Sequence, residues 1–412
     1  MRIFCSLSTL FLSLLIQIAS AQSRLQTGIW RGELKTKSGN LLPFNFDVQN
    51  ATGKQILYIH NSSERFRVTD IREKGDSVFI HMPLFNSEFK LVKNTVGLKG
   101  NWIKHYADHD MLMAFTATPG INWRFFGKPA AAKYNISGLW TAVFTGSNGK
   151  PDTTVGDFKQ NGSYLSGTFL TTTGDYRYLE GNVSGNKLYL STFDGGHAFI
   201  FTADIGSSQG IVNGKYYDGF DDIENWTAYK NPKAQLPDAY SLTYLKPGYK
   251  KITFSFADLN GKKVSLSDPK FKNKVVIIQM MGSWCPNCMD ETNFLVNNYY
   301  PKYHAKGVEI IGLAYERTPD FNKSKATLLQ LKKRFNIPYT LLITGYTPNR
   351  GDPMKSLPML ADYKGFPTTI IIDKKGNVSK IHTGFSGPGT GKYYTEFIAE
   401  FEKLTDNLLA EK

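Results

Sequence analysis

The chain has 412 residues, 41% of them hydrophobic and 20% charged, with a formal net charge of +14. That length holds two or three domains, and that balance excludes a disordered polymer. Three cysteines are too few for a disulfide-stapled scaffold, and the positive charge forms no dense basic run, so it reads as a solvated face rather than a nucleic-acid site.

Residues 1–21 read as a signal peptide. Arg2 supplies the positive start, an apolar run extends from Leu10 to Ile18, and Ala19-Ser20-Ala21 gives the small-x-small cleavage pattern. The run is too short to span a bilayer, and no later segment is long and apolar enough to do so. The expected product is exported to the periplasm or envelope of a bacterium, without a transmembrane anchor. Cleavage also removes Cys5, so the mature chain keeps only Cys285 and Cys288.

Two regions then repeat. Gly28-Ile29-Trp30 returns as Gly138-Leu139-Trp140, and residues 75–80 return as 185–190 at the same offset of 110. Each region also contains an Asn-Trp pair, Asn122-Trp123 and Asn225-Trp226, read as equivalent ends. Alternating apolar and polar residues with turn signals such as Asn161-Gly162 and Asn213-Gly214 predict antiparallel meanders closing into barrels or sandwiches. The expected division is β-rich domain 1 over 22–130 and β-rich domain 2 over 131–232.

A linker is expected over 233–250, followed by an α/β domain over 251–412. The fold class is therefore multidomain: two antiparallel β domains and one α/β domain. Residues 254–266 read as a hairpin around Asn260-Gly261. Residues 275–281, apolar apart from Gln279, and residues 308–314 read as buried strands, the first suited to parallel pairing. Helices are expected over 286–299, stopped near Pro301, over 320–335, and from about 391 to 408, with further strands at 339–344, 368–372 and 378–383.

Trp284-Cys285-Pro286-Asn287-Cys288 sits where a buried strand gives way to a helix. A helix N-terminus favours an anion, so Cys285 is expected to be the acidic, exposed thiol. Cys288, one turn further, is placed to resolve a mixed disulfide formed at Cys285. A purely structural disulfide or half a zinc site are the other readings of such a pair. A two-residue loop constrains little of the unfolded chain, and no second cysteine pair exists.

The stretch from about 253 onward resembles the thioredoxin superfamily, and more closely the TlpA/ResA-like exported thiol–disulfide oxidoreductases. The resemblance rests on the hairpin at Asp258-Leu259-Asn260-Gly261-Lys262, on Gly282 to Cys288, on Gly365-Phe366-Pro367-Thr368-Thr369, and on the glycine-rich segment 381–391. It implies dithiol–disulfide exchange on a protein disulfide substrate, in the direction of reduction. It implies a cis bond at Pro367, a substrate groove shaped by Pro367, no organic cofactor or metal, and a membrane-bound electron donor of the DsbD or CcdA kind. Gln279 stands where thioredoxin carries a buried acid. Glu291 matches the acid that ResA-like proteins carry after the second cysteine, which implies a proton-moving role. The long interval before Pro367 contains residues 345–364, expected to overhang the site.

Two other classes compete. His105, His109, Met111 and Met113 lie close in sequence and suggest Cu(I) handling together with the cysteine pair, although the alternation of Met111 and Met113 fits a strand's core face. Alternatively, the β domains lead as a binding module and the redox domain is subordinate.

Overall fold

The computed structural model describes residues 24–51, 53–106, 108–220, 223–349 and 351–411. The expected signal peptide, with Arg2 and Cys5, lies outside the described residues.

Two nine-stranded antiparallel sheets come first, followed by a seven-stranded mixed sheet with helices. In the first β unit, strand Gly28–Lys35 lies between Leu41–Ala51 and Asp110–Pro119. In the second, Gly138–Thr145 lies between Pro151–Asn161 and Ile223–Lys230. The register repeats too: Gly28 faces Val48, and Gly138 faces Phe158. Alternation explains the strands, since Trp140, Ala142 and Phe144 point inward while their neighbours are partly exposed. One expectation fails. Trp226 is a core residue of the last strand of the second unit, and the strand in that place in the first unit is Asp110–Pro119. Trp123 lies beyond that sheet under the guanidinium of Arg31, so the two Asn-Trp pairs are not equivalent.

The second sheet closes. Tyr164–Thr171 pairs with both Pro151–Asn161 and Leu179–Ser184, which completes a barrel. The first sheet stays open between Glu64–Val68 and Asp70–Lys74, its two end strands. The units share a core: Phe193, Ala198 and Ile200 of the second belong to the apolar cluster of the first, and Phe193 stacks on Phe44 at 4.5 Å.

The third sheet runs Lys263–Ser265, Ser255–Asp258, Thr340–Ile343, Val308–Ala314, Val275–Met281, Thr368–Ile372, Val378–Thr383. Its three central strands are parallel to one another, and Val275–Met281 is buried throughout, Gln279 included, as its otherwise apolar run requires. Helix Phe321–Phe335 starts at Asp320, whose carboxylate accepts from Lys323 N, and ends at left-handed Asn336. The helix expected to stop near Pro301 runs through it. Leu295–Tyr299 winds as a π turn, which loosens the ladder just where proline lacks its N–H, and helix Tyr300–Tyr303 continues.

The stretch read as a linker is built into the C-terminal domain. It carries helix Ala239–Leu242 and strand Tyr244–Leu245, which pairs with Leu360–Ala361. The described residues of the 345–364 insertion include helix Asp352–Ser356, and Tyr315 Oη meets Ser356 Oγ at 2.7 Å.

Candidate active site

Strand Val275–Met281 delivers the chain to a short loop, and Cys285 caps helix Pro286–Phe294. Pro286 suits the first turn because the N–H it lacks would have no partner there. Cys285 Sγ accepts from Cys288 N at 3.2 Å. The two cysteines form a disulfide, with Cα atoms 5.2 Å apart. Cys285 was expected to be exposed, yet it is only 4% exposed and Cys288 is fully buried. The surroundings supply the reason. Trp284 packs edge-on to Phe366 at 5.6 Å, Leu84 and Phe85 of the first β unit pack against the apolar cluster that holds both cysteines, and Asn287 between the cysteines meets Asp175 of the second unit.

The peptide bond Phe366–Pro367 is cis, and Pro367 O accepts from Gly384 N at 2.8 Å. Two residues on, Thr369 Oγ1 donates to Glu291. Glu291 Oε2 also accepts from Gln279 Nε2 at 2.9 Å. That same amide donates to Cys288 O at 3.2 Å. Glu291 therefore lies beneath the cysteine pair, 1% exposed, and none of the described ion pairs includes it. Burial pushes its pKa up to about 7, against the two hydrogen bonds that favour the charged form. Gln279 cannot titrate, but it positions the carboxyl that can.

Several residues of the site were not singled out from the sequence. Glu316 is buried and accepts from Ser283 N at 2.9 Å and from Ser283 Oγ at 2.6 Å, fixing the loop that leads to Cys285. Burial raises its pKa. Asp290, beside Glu291, pairs with Arg177 of the second β unit. Arg177 also meets Glu64 of the first unit at 2.5 Å and Asp194 at 3.9 Å. One cation thus serves carboxylates from all three domains. Burial, with Asp175 and Glu64 as like charges, pushes Asp290 up to about 7 in spite of Arg177.

The second unit also covers the groove. With the Asn287 amide oriented by its hydrogen bonds, its nitrogen donates to Asp175 O and its oxygen accepts from Asp175 N, both at 3.2 Å. Asp175 Oδ2 accepts from Gly387 N at 2.7 Å. A Cβ on Gly365 would lie 2.8 Å from the Thr173 methyl, and one on Gly384 would lie 2.8 Å from Thr172 O. The 171–175 turn is therefore seated on Asn287, the loop before Pro367 and the segment after it. No sequence signal reveals this, because it arises between domains.

The copper-handling residues separate. Met113 is in the core of the first unit, His105 Nδ1 bonds Asp110 at 2.7 Å, and His109 Nδ1 bonds Asp108 at 2.7 Å. Among the described residues no group of three or more His, Cys, Asp or Glu side chains is arranged to hold a metal ion, and no helix is long and apolar enough to cross a membrane.

The sequence pattern of the Redoxin family matches residues 246–396. The C-terminal part of this chain is a Redoxin domain. The chain is 32% identical over 131 residues to thiol-disulfide oxidoreductase ResA of Bacillus thuringiensis subsp. konkukian, covering 32% of this chain and 66% of that protein. It is 28% identical over 131 residues to ResA of Bacillus subtilis, covering 32% and 64%. The chain thus spans slightly less than two thirds of the length of these curated relatives. A thiol-disulfide oxidoreductase of Bacteroides fragilis aligns over 37% of this chain and 98% of its own, at 18% identity and a TM-score of 0.28. In this domain the Glu291 carboxyl is linked through Gln279 to Cys288 and through Thr369 to the strand that follows the cis bond at Pro367.

Proposed function

We propose that this protein is an exported thiol–disulfide oxidoreductase that reduces protein disulfides through Cys285 and Cys288. The observation that carries this is the cysteine pair capping a helix of the Redoxin domain directly above the buried Glu291. In the reduced protein the Cys285 thiolate, favoured by the helix end, attacks one sulfur of a substrate disulfide. One substrate thiolate leaves and a mixed disulfide forms. Cys288 then loses its proton to Glu291 and attacks the Cys285 sulfur. The second substrate thiolate leaves, the substrate gains two electrons, and the Cys285–Cys288 disulfide is regenerated. A carboxyl with a pKa near the working pH is suited to that transfer. Pro367 borders the groove.

The remainder of the reading follows the sequence. Residues 1–21 direct export to a bacterial periplasm or envelope, 22–130 and 131–232 form the two β domains, and 251–412 carries the chemistry together with the part of 233–250 that packs on it. A membrane-bound donor returns electrons to the pair, and no organic cofactor takes part.

A Cys288→Ala variant tests the proposal. It should accumulate a mixed disulfide between Cys285 and a protein partner, released by thiol reductant and identifiable by mass spectrometry. A variant that never captures a partner, combined with a native pair that resists excess reductant, would mark the bond as structural.

A further inference from the structure

On one side of Cys285 the groove is filled by the protein's own 171–175 turn, so a substrate must approach from the Trp284 side. That side opens into a cavity of about 340 Å³, within the usual range for ligand sites. Its walls come from two domains. The first β unit gives Phe85, Lys104 and Tyr106, and the Redoxin domain gives Trp284, Glu316 and Arg317. Phe85 packs against the apolar cluster that contains Cys285. The cavity thus reaches Ser283 and Trp284, the two residues before Cys285.

The charges in this cleft do not balance. The Arg317 guanidinium lies 4.8 Å from the Tyr106 ring centre and 5.1 Å from that of Trp284. It is exposed, and none of the described ion pairs includes it. Lys104 is buried, and its ammonium donates to Gly196 O. Burial and the nearby Arg317 lower its pKa to about 8, with Asp194 and Asp218 opposing. It remains a cation at neutral pH, facing a second one. Glu316 is the one carboxylate lining this cavity among the described residues, and both its oxygens are engaged by Ser283. Cations set on aromatic faces beside apolar side chains suit a partner that brings carboxylates and aliphatic groups together.

We propose that this interdomain cleft is the substrate-recognition site and that it takes an extended polypeptide segment carrying an acidic residue beside an apolar one, next to the disulfide to be reduced. The first β unit thereby has a function: it supplies the wall that reads the segment. The assignment rests on the exchange reading, because it places the bound segment against Cys285.

Binding to the full-length protein tests it, using short fluorescein-labelled peptides without cysteine. One peptide alternates glutamate with leucine and the other alternates lysine with leucine. The acidic peptide should bind up to about fivefold more tightly at low salt, the upper end for pairing with an exposed cation. Arg317→Glu should reverse the preference, and Arg317→Gln should abolish it without reversal. Equal binding of the two peptides would overturn the assignment, and so would a preference that survives Arg317→Glu, which would leave only diffuse attraction to a basic protein. Exchange with hydroxyethyl disulfide, small and uncharged, is a separate readout. Its absence in the wild-type protein would sink the exchange reading, whatever the peptides do.

Discussion

The two β units put the same hairpin to different uses. At an offset of 110, residues 61–67 of the first unit correspond to 171–177 of the second. The first unit's turn docks on the second unit: Asn61 Nδ2 donates to Phe193 O at 2.9 Å, and Ser62 N donates to Glu180 Oε2 at 2.6 Å. The second unit's turn docks on the Redoxin domain, on Asn287 and the loops flanking Pro367. Each unit therefore grips the next domain along the chain with the same part of its fold. Arg67 and Arg177 occupy equivalent positions, yet Arg67 is exposed and Arg177 is largely enclosed, 13% exposed, at the three-domain junction. A duplicated scaffold fixes where a side chain is presented, while the neighbour it meets fixes what that side chain does.

Breaking the second hairpin's grip should have the largest effect. Arg177→Met leaves Glu64, Asp194 and Asp290 without their shared cation, and should cost about 3–5 kcal/mol, the usual cost of stranding buried charges. Chemical denaturation at neutral pH would show it, and a change below about 1 kcal/mol would mean the junction is effectively solvated. Next comes Gly174→Val. A side chain there would overlap the Asn287 amide, at a backbone φ of +153°. Releasing the turn should make reduced Cys285 react with iodoacetamide about 10²-fold faster, corresponding to about 3 kcal/mol of lost contact. Unchanged labelling would show that the turn does not restrict access.

A third test examines the far side of the same contact. Glu291 ionises near 4.5 in an unfolded chain but near 7 in the fold. The native state then holds the extra proton between those values. Its stabilisation is complete below pH 4.5 and is lost as the pH rises to about 7, by up to ~3 kcal/mol for that displacement. Glu291→Gln should flatten this part of the stability profile, measured by denaturation at stepped pH. If the slope survives in the variant, another group such as Asp290 is its source. The smallest effect belongs to Arg67→Met, the exposed counterpart of Arg177, which should move stability by no more than about 0.5 kcal/mol. A large loss there would remove the contrast between the two positions.

What the sequence revealed follows from what is local. The strands Val275–Met281, Val308–Ala314, Thr368–Ile372 and Val378–Thr383 were legible because apolar runs and turn residues are short-range signals. Helix Phe321–Phe335 was legible from Asp320 and its apolar spacing. The helix passing Pro301 was not, because a proline signal says nothing of a π turn upstream. Cys285, Cys288, Glu291 and Pro367 could be named from motif and resemblance, but the burial of Cys285 could not. Its surroundings include Phe85, packed on the same apolar cluster, and Asp175, bonded to the neighbouring Asn287, and neither stands out in the sequence until the domains are assembled. The same holds for Arg177, whose equivalent at Arg67 is an ordinary surface cation.

The closure of the second sheet into a barrel has a consequence for time. The 171–175 turn grows from Tyr164–Thr171, a strand of that ring that pairs with Pro151–Asn161 as far as Leu170 and, at Leu170 and Thr171, with Asp175 and Gly174 of its own hairpin. It cannot lift away as a free flap on the nanosecond scale of loose loops. Clearing the groove requires the barrel to swing together with the first unit, whose core it shares, a displacement of the microsecond-to-millisecond kind. For any partner that needs the Pro367 side of the groove, the barrel is a slow gate, and its swinging rate is an upper limit on turnover.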